Sequence, residues 1–156
     1  MPIPQFVLDI RAKVGHDLLW LPGVTAVVFD DQDRVLLVRR ADNGQWTLVT
    51  GCLDPGEQPA AGLVREIEEE TAILAVAERV IRVAALPALV YPNGDQARFL
   101  DVAFRCRAVS GTARVNDDES VDVGWFALDS LPDIPPRHRQ CILDALDPEP
   151  AARFDA

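Results

Sequence analysis

Residues 51–73, GCLDPGEQPAAGLVREIEEETAI, bring four carboxylates and one guanidinium close together: Glu57, Arg65, Glu66, Glu69 and Glu70. Carboxylates are hard oxygen ligands, suited to Mg²⁺ or Mn²⁺. Like charges three or four residues apart on an exposed helix repel by only roughly 0.2–0.5 kcal/mol per pair. Spacing alone therefore fits two situations, a solvated acidic face or a site for something positively charged. Other chemistries have less to work with. Cys52, Cys106 and Cys141 are far apart and odd in number, without the spacing of a zinc site, and His16 and His138 stand isolated. The thiols read as reduced and mostly buried.

A helix over residues 58–71, with Pro59 in its first turn, would put Glu66, Glu69 and Glu70 on one face. Ala60, Leu63, Val64, Ile67 and Thr71 then form an adjoining stripe suited to packing on a sheet, while Glu68 points to solvent. The remaining chain supplies that sheet. The runs 23–30 and 34–40 read as strand, polar turn, strand, and 46–51 as a short extended segment. A β-branched region at 76–86, a turn at 91–96, a strand at 98–109, a polar loop at 110–120 and a strand at 121–128 follow. Helices are expected at 4–13 and about 136–146. This mixture predicts an α/β class, a sheet sandwiched between helices. The expected organisation is an N-terminal helical extension (1–20), a single domain (21–147) and a frayed tail (148–156).

Composition narrows the partners. At 156 residues with 49% hydrophobic content, the chain suffices for one domain with a proper core. No apolar run approaches the roughly 18 residues that suggest a membrane span. The N-terminus lacks a basic leader followed by an apolar stretch, so a cytoplasmic protein with no membrane association is expected. A net charge of −10 argues against a nucleic-acid partner, which needs a basic surface. A small phosphorylated substrate is still allowed, because a bound cation inverts the local sign of an acidic site.

The wider pattern distinguishes the two acidic readings. Gly51, five residues, Glu57, seven residues, then Arg65-Glu66-Ile67-Glu68-Glu69-Glu70-Thr71-Ala72-Ile73 resembles the Nudix box, matching at every charged position. GQWTL at 44–48 looks like the family's Gly-x-Trp-x-Leu lead-in, and VDVGWFALDSLPD at 121–133 like its late strand, so the resemblance covers roughly residues 22–145. Two departures stand out. Ala72 replaces the glycine that ends the helix in a left-handed conformation, where a side chain costs on the order of 1 kcal/mol. Val49 and Thr50 replace the proline and glycine that usually precede Gly51, which alters the walls around the site.

The resemblance implies a Nudix-type α/β/α sandwich with a mixed β-sheet. It also implies metal-dependent hydrolysis of a nucleoside diphosphate linked to another group, with Mg²⁺ or Mn²⁺ as cofactor and a small nucleotide diphosphate as partner, ADP-ribose and nucleotide sugars being weakly favoured. By the same resemblance, Glu66, Glu69, Glu70 and the Gly51 carbonyl are expected metal ligands, and Arg65 is expected to hold Glu57 or a helix neighbour in place. The general base is expected among Glu66, Glu69 and the loop residue Glu119, with Asp117 and Asp118 as competitors. Arg40, Trp46 and Tyr91 are candidate substrate contacts, through a phosphate or by stacking on a base. The alternatives are a nucleotide-sensing module of the same fold, and an enzyme acting on non-nucleotide diphosphates. A homodimer through Leu18, Leu19 and Trp20 is a further expectation.

Overall fold

In the computed structural model, which describes residues 3–156, the middle of the molecule is built from β1 (Leu19–Phe29) and β2 (Val35–Arg40). From Gly23 to Phe29 every residue of β1 is buried, as are Val35 to Val38 of β2. Strands covered on both faces carry such continuous apolar runs. β1 pairs in parallel with β7 (Gln96–Gly111), from Leu19↔Ala97 to Phe29↔Arg107. On its other side β1 meets β2 only at Phe29↔Val35, and β4 (Val49–Cys52) occupies the remaining edge at Gly23–Ala26. β3 (Trp46–Thr47) and β8 (Ser120–Phe126) flank β2. β5 (Ile73–Ala85) and the short β6 (Leu89–Val90) pair antiparallel with β7. Parallel and antiparallel ladders thus coexist in one mixed sheet.

Strand alternation sorts the side chains into two layers. Val24, Ala26, Val28, Leu36 and Val38 pack against Leu63 and Ile67 of α2 (Pro59–Thr71). Val27, Phe29, Val35 and Leu37 pack against Cys141, Ile142 and Ala145 of α3 (Pro136–Leu146). The result is an α/β/α sandwich. α1 (Gln5–Val14) covers the start of the sheet, with Val7 against Leu21 and Ala97. Among the described residues no helix is long and apolar enough to cross a membrane.

Both chain ends engage the sheet more than the sequence suggests. β1 starts at Leu19, ahead of the expected boundary at 21, because β7 reaches back far enough to pair with it. In the tail, β9 (Arg153–Phe154) runs parallel to Arg82–Val83 of β5 instead of fraying, held by ion pairs from Arg153 to Asp147 and from Arg82 to Asp155.

Helix ends are closed by distant residues. Ala72 adopts the left-handed conformation (φ 57°, ψ 21°) with its N–H on the Glu68 carbonyl, so the helix exit keeps its geometry without glycine. The Arg114 and Asn116 amides donate to the Thr71 and Glu70 carbonyls at 3.1 and 3.2 Å, and Asn116 Nδ2 donates to the Glu68 carbonyl at 3.1 Å. The two amide bonds satisfy the Thr71 and Glu70 carbonyls, which a helix leaves without partners, and the Asn116 side chain adds a second donor to Glu68. At the end of α3, Arg79 donates to the Asp147 carbonyl (2.6 Å) and Arg105 to the Ala145 carbonyl (2.8 Å), placing cations at the negative end of the helix dipole.

Candidate active site

Two of the three carboxylates on the acidic face of α2, Glu66 and Glu70, are buried. Glu66 is fully buried, and neither of its carboxylate oxygens accepts a hydrogen bond. Arg65 Nη1 stands 3.1 Å from Glu66 Oε1, an ionic contact without hydrogen-bond alignment. Burial pushes the Glu66 carboxyl up to about 7, with Arg65 opposing and Glu69 adding to the rise. Glu70 is nearly as buried, and burial, Asp117 and Glu66 push it up to about 8. Burying two neighbouring carboxylates, one of them with no hydrogen bond, is costly, which marks this as a candidate functional site.

β4 completes the site. Gly51 faces Glu66 so closely that a Cβ would lie 2.4 Å from Glu66 Cγ and 2.7 Å from its Oε1. Only glycine permits that approach. Gly62, which the sequence reading passed over, has the same role on the helix: a Cβ there would meet Glu57 Oε2 at 2.7 Å and Leu53 at 2.5 Å. A glycine inside a helical pattern was the available signal.

Arg65 ties the carboxylates together. Its Nε and Nη2 donate to both oxygens of Glu57 (2.9 and 3.0 Å), and its Nη1 to Glu69 (3.0 Å). The guanidinium holds the Glu57 carboxyl below its ordinary range, and the Asp54 amide adds a hydrogen bond at 3.1 Å. Glu69 is half exposed and lies on this arginine. Among the described residues, no three carboxylate, histidine or cysteine side chains stand gathered as a ready-made cage. Magnesium takes few protein ligands and keeps several waters, so two buried carboxylates, Glu66 with no hydrogen bond to either oxygen and pressed against Gly51, and Glu70 beside it, fit a divalent cation.

A narrow cleft opens beside Glu70, lined by Arg40, Thr47, Thr50 and Glu119. The Ala41 amide donates to the Glu119 carbonyl (2.7 Å), and Asp117 Oδ1 accepts the Glu119 amide (3.1 Å), so the late acidic loop is fastened to the cleft rim. Asp118 is exposed and does not line the cleft. Arg40 makes two hydrogen bonds to Asp42, at 2.9 and 2.6 Å. Tyr91 is exposed and does not line the cleft.

Trp46 is not brought to the carboxylates. It pairs with Arg39, one residue before Arg40, and so faces the α3 layer, edge-on to Phe126 at 4.8 Å. Of the three apolar residues expected at a dimer contact, Leu18 and Trp20 are exposed while Leu19 packs beneath α1.

The NUDIX domain family matches residues 19–145. A MutT-like protein of Streptomyces ambofaciens is 34% identical over 126 residues, covering 80% of this chain and 76% of its own. An 8-oxo-dGDP phosphatase of Mus musculus is 31% identical over 132 residues, 83% of this chain but 37% of its own, so the chain spans little more than a third of that relative. Among solved structures, an ADP-ribose pyrophosphatase from Streptococcus suis superposes with a TM-score of 0.68 at 25% identity, covering 86% of this chain and 98% of that one.

Proposed function

This chain belongs to the NUDIX family and is a Nudix hydrolase, and on that premise we propose that it cleaves the diphosphate of a nucleoside diphosphate linked to a second group, of ADP-ribose or nucleotide-sugar type, with the aid of Mg²⁺ or Mn²⁺. Water adds across the phosphoanhydride as the bridging P–O bond breaks. The products are a nucleoside monophosphate and the phosphorylated second group. One observation carries the reading: the fully buried Glu66 carboxylate, with no hydrogen bond to either oxygen, backed against Gly51.

Glu66, Glu69, Glu70 and the Gly51 carbonyl would hold the cation. When bound, it neutralises the diphosphate and lowers the pKa of water. Arg65, anchored by Glu57, keeps the acidic face from dispersing. Arg40 exchanges Asp42 for a phosphate oxygen, and Tyr91 covers the base or sugar. Glu119, beside Glu70 in the cleft and outside the group that would hold the cation, is the residue we assign to take the proton of the attacking water. The ADP-ribose pyrophosphatase likeness, extending over nearly the whole of that chain, supports the substrate class.

The experiment is a product-release screen over ADP-ribose, nucleotide sugars, dinucleoside polyphosphates, nucleoside triphosphates and 8-oxo-deoxyguanosine phosphates, with Mg²⁺, Mn²⁺ or chelator. Cation-dependent cleavage of ADP-ribose or a nucleotide sugar, lost in Glu66→Gln, is expected. Preference for another nucleotide class overturns the substrate assignment. Tight binding without turnover under either metal would make the chain a sensing module instead.

A further inference from the structure

α3 opens behind the sheet with Arg137 and His138, which the site described above does not use. His138 is buried, and its Nδ1 accepts the Leu48 amide at 3.1 Å. Leu48 belongs to neither neighbouring strand: β3 ends at Thr47, paired to β2, and β4 begins at Val49, paired to β1. At this change of partner, a fully buried N–H left unmet would cost on the order of 1–3 kcal/mol. Burial, then Arg137 and Arg40, push the imidazole down to about 3, so it remains a neutral acceptor.

Arg137 grips the adjacent strand. Its guanidinium donates to Asp101 Oδ2 (3.0 Å) and to Thr25 Oγ1 (3.2 and 3.3 Å), and Thr25 is the register partner of Thr50. The first turn of α3 thus fastens both β1 and the β3–β4 joint from the reverse face. Thr47, Leu48 and Thr50 border the cleft beside Glu70, Leu48 with its side chain in the α3 layer, and Gly51 meets Glu66 on the α2 side.

We propose that His138 is a positioning residue for the carboxylate site: by accepting the Leu48 amide, it fixes the segment 48–51 where the Gly51 backbone and the Glu66 carboxylate form one seat for a divalent cation. The role rests on the hydrolase reading, but its main readout requires no turnover. A histidine that served packing alone would affect melting temperature and leave cation binding untouched.

The test compares full-length His138→Asn, which retains an acceptor near Nδ1, with His138→Phe, which fills the space without one. His138→Ala replaces the phenylalanine variant if that fails to fold. Mn²⁺ affinity is measured by electron paramagnetic resonance, melting temperature in chelator, and kcat and KM on the substrate identified by the screen. A direct outer-shell partner is typically worth roughly 10–100-fold in metal affinity. For this more remote contact the acceptor-free variant should bind Mn²⁺ roughly three- to tenfold more weakly, with a lower kcat, and His138→Asn should recover most of the loss. Unchanged Mn²⁺ affinity in the acceptor-free variant, or equal loss in both variants, overturns the role. Wild-type protein that binds Mn²⁺ through Glu66 yet hydrolyses nothing overturns the hydrolase reading alone.

Discussion

Glu66→Gln should stabilise the metal-free protein while removing its activity. The carboxyl is lifted from 4.5 to about 7 on folding, chiefly by burial. That shift amounts to about 3 kcal/mol of destabilisation once the group is ionised in both states. Glutamine removes the charge but retains a polar amide, and an unmet buried donor returns about 1–3 kcal/mol of the loss. The net expectation at pH 8 in chelator is a gain of about 1–2 kcal/mol, or about 3–6 °C in melting temperature for a domain of this size. The sign with pH follows from the raised folded-state value. Protonated Glu66 contributes stability that is complete below about 4.5 and is lost as pH rises through about 7. The advantage of the variant should therefore be present at pH 8 and vanish or reverse at pH 5. Urea unfolding of both proteins at the two pH values, in chelator, measures it. A variant less stable than wild type by the same margin at both values would refute the claim that burial outweighs the Arg65 contact and leaves a costly charge at this position.

Other perturbations have equally definite outcomes. Gly51→Ala places a methyl group 2.4 Å from Glu66 Cγ; it should cost about 1–3 kcal/mol by urea titration, and a carboxylate displaced by about 1 Å should cost about 100-fold in kcat/KM. Ala72→Gly relieves a left-handed alanine and should raise stability by about 0.5–1 kcal/mol in thermal melts, leaving kcat unchanged. Arg65→Lys replaces a fork that binds Glu57 through two nitrogens and Glu69 through a third; kcat/KM should fall by roughly 10–100-fold with the circular dichroism spectrum unchanged.

The sequence disclosed what is local and hid what is distant. The shared face of Glu66, Glu69 and Glu70 follows from helix periodicity, and the double-sided burial of β1 and β2 from unbroken apolar runs. The fold class was legible for the same reason. Trp46 was not, because one step of strand register decides which face it takes, and a two-residue strand has no alternation to reveal it. His138 read as isolated since its partner, Leu48, lies 90 positions away and is a backbone amide with no residue signature. The pairing of the tail with Arg82–Val83 is likewise invisible in a segment rich in proline and charge. Nor does spacing reveal that Glu66 lacks hydrogen bonds, which depends on Gly51 and on burial beneath β4.

The bonds from Arg114 and Asn116 to the last carbonyls of α2 also bear on how the molecule breathes. A loop stitched to a helix end opens only when that end opens, so the two form one unit in local unfolding. Amides of the final turn of α2 and of residues 114–116 should exchange with solvent deuterium at similar protection. Cation binding at Glu66 and Glu70 would slow exchange in the loop as well as in the helix. A cation held there would thereby be felt by the acidic loop that carries Glu119 through backbone bonds, before any substrate arrives.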